Sequence, residues 1–532
     1  MRAFLPAKAD WTAARPRDVV AGLTVAVVAL PLALGFGVAS GLGAAAGLAT
    51  AIVAGTLAAV FGGSSLQVSG PTGAMTVVLV PIVATFGPGG VLTVGLLAGV
   101  LLLALAAARA GRYMRYVPAP VVEGFTLGIA AVIGLQQIPA ALGVPTPDGH
   151  NVVVNAVRAF GSGPALPAVA LAGGVVVIML VGARWKPAIP FSLLAVAAGT
   201  VAAEIWSLPV PRIGTLPALL PAPSLSFLDL SALWSLLPSA IAVAALAALE
   251  SLLSATVADG MSVNQRHDPD RELFGQGIAN VITPMFGGVP ATAAIARTAV
   301  NVRSGASSRL AALVHAVTLA VIMLAAAPVV GRIPLAVLAG VLLATAVRMV
   351  EVGSVRVLMR ANRSDAVVLA LTAIATLALD LVTAVIIGLV VAGALALRAV
   401  ASSARIDEEP LEPGDHTAEE HALLAQHIVA YRLDGPLFFA AAHRFLLELT
   451  EIAAVSVVIL RMSRVSTMDG TGVLVLRDAV ERLEHRGITV LLSGVRDEHR
   501  HQLETHGVRA FASTPEAIEH ARNHLRRNGT LP

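Results

Sequence analysis

Apolar runs long enough to cross a bilayer follow one another from residue 19 to residue 400, and this repetition constrains the chain more than any motif does. A bilayer core about 30 Å thick takes about 20 apolar helical residues to span. The runs lie at 19–40, 44–62, 71–86, 90–108, 118–139, 167–183, 187–206, 233–257, 272–286, 290–302, 309–327, 333–350, 364–379 and 381–400, which predicts fourteen spans. With 56% hydrophobic and 13% charged residues, the chain is neither soluble throughout nor disordered. Val38-Ala39-Ser40 has the small residues of a signal cleavage site, but the first run is too long for a signal core and similar runs follow it. It is therefore read as a retained span. The absence of cysteine excludes disulfides, thiol nucleophiles and iron–sulfur clusters. A net charge of +3 gives no reason to expect a nucleic-acid partner.

Charge divides the chain in two. Residues 401–532 carry 14 Arg against 19 Asp and Glu, whereas residues 1–400 carry 22 Lys and Arg against 14 acids. Ten of the 13 histidines also lie beyond residue 400. A membrane domain thus meets a soluble one near residue 401. The expected bounds are a cytoplasmic N-terminus at 1–18, a transport domain at 19–401 (repeats at about 19–206 and 233–401), a linker at 402–422 and a soluble domain at 423–528. Positive charge collects in cytoplasmic loops. Arg109, Arg112, Arg115, Arg184, Lys186, Arg266, Arg271, Arg303, Arg309, Arg348, Arg356, Arg360, Arg363, Arg398 and Arg405 all fall in the loops after even-numbered spans or at the span ends beside them; the other side holds Arg158, Arg212 and Arg332. This places both termini in the cytoplasm of a cell-membrane protein.

Two segments are unusual as membrane helices. Gly62-Gly63-Ser64-Ser65-Leu66-Gln67-Val68-Ser69-Gly70-Pro71-Thr72-Gly73-Ala74 and Gly287-Gly288-Val289-Pro290-Ala291-Thr292-Ala293-Ala294-Ile295-Ala296-Arg297 each join a Gly-rich approach to a proline and small residues. Proline suits the first turn of a helix, so each reads as extended backbone followed by a half-helix. Such backbone survives at membrane depth only inside protein or beside a water-filled cavity. Pro71 and Pro290 open the third and tenth spans, 219 residues apart. Seven spans per half is odd, so the halves lie inverted, and paired broken segments in inverted repeats mark a transporter site. Two helix N-termini favour an anion, with Ser69, Thr72 and Thr292 adding hydroxyls.

Ionisable residues within spans are costly and functional by default. Glu250 lies deep in the eighth span, with Ser254 one turn on. This oxygen pair suits Na⁺, and a buried carboxylate that can carry a proton suits H⁺ coupling. Arg297 lies about two turns past Pro290 and would add positive potential behind an anion. Glu123 and Glu204 read as interfacial, and Asp259, Glu272 and Asp365 as loop-edge charges. Asp380 reads as part of a tight turn, and His315 as a packed core histidine.

The tail alternates strand and helix signals. Strands are expected at His427–Asp434, Leu437–Ala441, Val455–Leu460, Ile488–Gly494 and Val508–Phe511, with helices at His443–Ile452, 472–486, 496–506 and from 514. His499, His501 and His506 do not share one helical face, so no metal is expected there. No phosphate loop of the GxxxxGK[ST] type occurs, which argues for gradient-driven transport rather than a fused ATPase.

Taken together, these features resemble the SulP anion-permease family. The residues that carry the resemblance are Ala21-Gly22-Leu23-Thr24-Val25 with Ala29-Leu30-Pro31-Leu32-Ala33, Val68-Ser69-Gly70-Pro71-Thr72, Glu250-Ser251-Leu252-Leu253, and Pro290-Ala291-Thr292-Ala293-Ala294-Ile295-Ala296-Arg297-Thr298. The tail is similar to that family's STAS domain, with Met468-Asp469-Gly470-Thr471-Gly472 at the signature loop. The resemblance implies a seven-plus-seven inverted repeat with core and gate domains, and often a homodimer with the STAS domain near its interface. It implies an anion held by Ser69, Gly70, Pro71, Thr72 and Gly73, by Ala291, Thr292, Ala293 and Ala294, and by the first span near Leu34 to Phe36. It assigns the coupling acid to Glu250, with Ser254 beside it. Sodium-coupled bicarbonate members are similar but carry an Asp/Thr pair there, so the Glu250/Ser254 pair favours H⁺. The position of the phosphorylated serine in stand-alone STAS regulators is Gly470 here, which leaves an assembly or regulatory role, with a protein partner at the domain.

The expected function is secondary transport of sulfate, bicarbonate or a C4-dicarboxylate, without a cofactor beyond coupling H⁺ or Na⁺. A channel or exchanger on the same scaffold and a STAS-dependent membrane regulator are the competing classes. No nucleophile–base pair appears in the spans, so an enzyme is not expected.

Overall fold

The computed structural model describes residues 15–147, 151–186, 189–262, 265–379, 381–409, 426–438, 455–504 and 510–527. The chain forms two compact units, residues 1–390 and 391–532.

The first unit is helical. Its helices are α1 (Pro16–Ala39), α2 (Ala44–Phe61), α3 (Gly73–Ala107), α4 (Ala119–Leu142), α5 (Val152–Phe160), α6 (Leu166–Trp185), α7 (Phe191–Ile205), α8 (Leu233–Met261), α9 (Pro269–Ile282), α10 (Ile295–Arg303), α11 (Leu310–Val330), α12 (Leu335–Met349), α13 (Val352–Ala361) and α14 (Arg363–Ala378). The last apolar helix, α15 (Leu381–Ser402), contains the break between the units. A helix occupies each of the fourteen apolar segments, and nine helical stretches among the described residues are long and apolar enough to cross a membrane. Segments 71–86 and 90–108 lie on the two helical halves of α3, which meet at a kink at Gly87, whose φ of +68° is left-handed backbone that glycine adopts freely. Two helices lie where loops were expected, α5 and α13. Asn151 caps α5 by accepting from the Val153 and Val154 amides at 3.0 and 3.1 Å.

Contacts sort these helices into two groups. α1, α2, α3, α8, α9, α10 and α11 pack on one another, and α4, α6, α7, α12 and α14 form a second set. Within the first group, Asp18 is fully buried, and its carboxylate accepts from the Ser307 and Ser308 amides at 2.6 and 3.0 Å. This buried carboxylate pins the start of α1 to the α10–α11 connection.

The second unit carries a five-stranded sheet in the order β3 (Arg405–Glu409), β4 (Ile428–Leu437), β5 (Val457–Met468), β6 (Thr489–Ser493), β7 (Ala510–Phe511). All neighbours are parallel except β3, which runs antiparallel to β4. Alternate residues of β5 face opposite sides. Val458 and Leu460 pack with Leu476 of helix Gly470–His485, while Val457 and Ile459 pack with Ala517 and Leu525 of helix Thr514–Arg527. β3 lies inside the segment expected to be a linker. Its acids hid the strand from a hydropathy reading, and they are matched on neighbouring strands: Glu409 meets Arg432 at 3.2 Å and Arg461 at 2.6 Å. β4 runs on to Leu437 with irregular register near its end, so no separate strand begins at that residue. Helix 496–506 is found as Asp497–Glu504. The expected helix His443–Ile452, Asp380 and His506 lie outside the described residues.

Candidate functional site

The two broken segments meet. Ser69 and Gly70 form β1, Thr292 and Ala293 form β2, and the two pair antiparallel with Ser69 opposite Ala293 and Gly70 opposite Thr292. Ala294 N–H adds a bond to the Val68 carbonyl at 3.1 Å. This pairing satisfies the extended backbone inside the protein, as a low-dielectric setting demands. It also draws the N-termini of α3 and α10 together. The first amides of each helix lack partners inside the helix, so two positive helix ends converge.

The strand pairing changes the reading of the prolines. Neither opens a helix: α3 starts at Gly73 after its N-cap Thr72, and α10 starts only at Ile295. Residues 290–294 stay extended because β2 needs them. Arg297 is therefore the third residue of α10, in its first turn. It is 1% exposed, and its Nη2 donates to the Pro71 carbonyl. A Cβ built on Gly70 would come within 2.4 Å of Arg297 Nη1, so the glycine gives the guanidinium its space. Arg297 Nε and Nη1 have no hydrogen-bond partner among the described residues. The cation thus lies directly behind β1.

Thr72 Oγ1 accepts from the Met75 amide at 3.4 Å and donates to Glu250 Oε2 at 2.9 Å. Glu250 is partly exposed, whereas Thr72 is 4% exposed. The other hydroxyls turn inward. Thr292 Oγ1 donates to the Ala247 carbonyl at 3.2 Å and lies 2.8 Å from Ser251 Oγ, which accepts from the Ala293 amide at 3.2 Å. Ser69 Oγ accepts from Gln276 Nε2 at 2.7 Å. The buried stretch Ala291, Thr292 and Ala293 is therefore anchored through its backbone, while its one hydroxyl holds α8. Glu250 and Ser254 part company despite their four-residue spacing. Ser254 Oγ donates to Thr298 Oγ1 at 3.1 Å, and Thr298 Oγ1 also accepts from the Val68 amide at 3.1 Å. Phe36 is 5% exposed, and its ring edge would lie 3.1 Å from a Cβ on Gly73, so α1 reaches the start of α3.

One face of α9 supports both strands. Glu272, 2% exposed, accepts from the Gly63 and Ser64 amides at 2.8 and 3.2 Å, and Gln276 Nε2 donates to its Oε1 at 2.9 Å. Asn280 accepts from the Ala291 amide and donates to the Ala291 carbonyl, both at 2.8 Å. Glu272 was expected at a loop edge; it is buried because Gly62 and Gly63 pass against it, and a Cβ on Gly63 would sit 1.9 Å from the Asp268 carbonyl. The signal that would have found this set is a polar residue every fourth position on an otherwise apolar helix. Gln67, whose Nε2 donates to the Ser251 carbonyl at 2.7 Å, and Asn301, whose Nδ2 donates to the Leu66 carbonyl at 2.7 Å, complete the frame.

The charges set aside in the sequence settle elsewhere. Asp259 pairs with His267 at 2.7 Å, and Glu204 pairs with Arg212. Glu123 is partly buried on α4. His315 is fully buried on α11, with neither ring nitrogen hydrogen-bonded among the described residues.

Comparison with known proteins matches this architecture to one group. Residues 16–372 match the family described as the Sulfate permease family, and residues 422–521 match the STAS domain. The chain is 34% identical to the Putative sulfate transporter YvdB of Bacillus subtilis, over 92% of this chain and 94% of that protein. It is 31% identical to the Bicarbonate transporter BicA of Synechocystis, over 94% of this chain and 91% of that protein. Among solved structures, the transmembrane domain of a cyanobacterium bicarbonate transporter BicA superposes with a TM-score of 0.62 at 32% identity, covering 71% of this chain and 96% of that one. The murine Solute Carrier 26 family member A9 anion transporter, in the inward-facing state, gives a TM-score of 0.83 over 95% of this chain and 91% of that one. At 16% identity, that second likeness speaks to fold alone.

Proposed function

The chain belongs to the sulfate permease family, and from that premise we propose that it is a secondary active transporter of a small oxyanion or carboxylate: sulfate, bicarbonate or a C4-dicarboxylate. The observation that carries this reading is the β1–β2 pairing, which sets the N-termini of α3 and α10 against each other. Amides at the two helix starts supply hydrogen bonds to an anion, and Arg297 behind Gly70 supplies positive potential without occupying the space in front. Ser69, Pro71, Thr72, Gly73 and Ala291 to Ala294 shape the seat. Phe36 closes it from α1.

Glu250 serves as the coupling acid. Its link to Thr72 joins its protonation state to the cap of α3. The contacts of Glu250 and Ser254 favour H⁺ over Na⁺, because each oxygen is engaged by a different partner, Thr72 and Thr298. The helix group built on α1–α3 and α8–α11 carries the site and moves against the group built on α4, α6, α7, α12 and α14. The protein works in the cell membrane as a homodimer with both termini in the cytoplasm. Its STAS domain acts in assembly or regulation, because Gly470 cannot be phosphorylated.

Uptake into proteoliposomes tests the proposal. Labelled sulfate, bicarbonate and succinate are supplied in parallel with an inward H⁺ gradient, an inward Na⁺ gradient or neither. The expected result is accumulation of one anion under the H⁺ gradient. Flux that follows only the electrical field, or that needs an anion on the far side, would replace symport by a channel or an exchanger. No flux of any anion would favour the regulator reading.

A further inference from the structure

We propose that α13 is a binding surface for anionic phospholipid, with Arg356 and Arg360 as its headgroup contacts. The helix follows α12 after a break at Val350, whose backbone is extended (φ −76°, ψ 106°), and leads through the Asn362 cap into α14. It is therefore a short element held between two apolar helices. It packs on α14 and α4, yet none of its ten residues is buried.

Its sequence, Val352-Gly353-Ser354-Val355-Arg356-Val357-Leu358-Met359-Arg360-Ala361, divides around the axis. Arg356 and Arg360 stand one turn apart on the same face. Val352 and Met359 flank them on one side and Val357 on the other, with exposures of 59%, 49% and 66%. Arg348 before the helix and Arg363 after it are also exposed. Two acids lie within the same stretch: Glu351, which accepts from Ser354 Oγ at 3.1 Å, and Asp365. No ion pair engages Arg348, Arg356, Arg360 or Arg363 among the described residues.

Exposed apolar side chains interleaved with unpaired arginines on a short helix are costly in water and costly in hydrocarbon. They fit one place, the boundary where headgroups meet acyl chains. The apolar residues enter the acyl region, and the guanidinium groups reach phosphate, which they bind through two parallel N–H donors. Charge complementarity selects anionic over zwitterionic lipid, since a zwitterionic headgroup brings its own cation. Each arginine near an anionic surface strengthens association roughly fivefold. A lipid seated here contacts the connection between α12 and α14, two helices of the group against which the site-bearing group packs. This inference does not depend on which anion is transported.

The cysteine-free chain allows a direct test. Val357→Cys carries a single environment-sensitive fluorophore, and the labelled protein is placed in bilayers with brominated chains on either phosphatidylglycerol or phosphatidylcholine at equal mole fraction. The expected result is stronger quenching by the brominated phosphatidylglycerol. That preference should fall by about fivefold for each charge removed in Arg356→Gln and Arg360→Gln. Quenching by brominated phosphatidylcholine should stay unchanged in those variants, which shows that the helix still lies at the same depth in a folded protein. Millimolar inorganic phosphate should leave the preference intact. Equal quenching by the two lipids, or a preference that survives loss of both arginines, would overturn the proposal. A preference erased by inorganic phosphate would assign the arginines to free anion instead and equally overturn it.

Discussion

Thr72 gives its hydroxyl hydrogen to Glu250 Oε2 at 2.9 Å, tying the cap of α3 to a carboxylate 178 positions later in the chain. The same hydroxyl oxygen accepts from the Met75 amide. One side chain thus reads the state of Glu250 and holds the first turn of a half-helix. In the proposed transport cycle, a proton arriving at Glu250 would change what Thr72 can donate to, and through it the helix end offered to an anion. This is the short physical path by which a gradient could drive uptake.

Glu250→Gln keeps an oxygen for Thr72 but cannot gain or lose a proton. Accumulation driven by an H⁺ gradient should disappear, while anion exchange across equal concentrations persists. Parallel uptake and exchange assays on the same proteoliposomes check this. Accumulation equal to that of the parent protein would remove Glu250 from coupling.

Thr72→Val removes both the cap and the donor. Loss of a helix cap costs about 1 kcal/mol, and the half-helix start should become less ordered. The expected outcome is a KM for the anion raised by roughly fivefold to tenfold, in line with that energy, together with a weaker response to the H⁺ gradient. Thr72→Ser should restore both. A raised KM with full gradient response would separate the cap from the coupling.

Glu272→Gln places an amide N–H₂ where the carboxylate receives either two backbone donors or the Gln276 amide. One buried donor then faces another donor. A cost of about 2–3 kcal/mol follows from the lost charged hydrogen bonds. Thermal unfolding in detergent should show a lower Tm, and transport should fall because the loop before β1 loses its anchor. An unchanged Tm would mean that the α9 ladder contributes little.

In the soluble domain, Asp469 accepts from the Gly472 amide at 2.8 Å and caps the helix Gly470–His485. Asp469→Ala should destabilise that domain by about 1 kcal/mol, and Asp469→Asn should recover most of the loss. Denaturant unfolding followed by tryptic cleavage of the tail reads the difference. Equal stability of all three would show that the cap is dispensable.

The large features of this fold were legible because each has a strong local cause. Apolar runs of bilayer length gave the helices, and β-rich runs between turn residues gave β5 and β6. The half-helices were legible from Gly, Pro and small residues, but their starts were not. Pro290 satisfies the chemistry of a first helical turn, and only the pairing of Thr292 with Gly70 and of Ala293 with Ser69, more than 200 positions earlier in the chain, keeps the chain extended to Ala294. That pairing is non-local and leaves no trace within a window of sequence. Glu272 failed for a related reason. Its charge suggests a loop edge until Gly62 and Gly63 are known to pass beside it. Ser254 shares a helical face with Glu250, as its spacing implies, yet Thr298 captures its hydroxyl, because α10 packs on α8. The strand β3 was missed since its acids look solvated until Arg432 and Arg461 are placed across from them.

In the proposed mechanism the transported anion sits between the starts of α3 and α10. The absence of cysteine makes a protection experiment direct: Ala294→Cys introduces one thiol at the partly exposed N-cap of α10. Its rate of modification by a small, membrane-impermeant thiol reagent is measured in proteoliposomes with and without the anion that the uptake assay identifies. This anion should slow modification over the same concentration range that saturates transport, and an anion not transported should have no effect. A modification rate unchanged at saturating anion would contradict this placement.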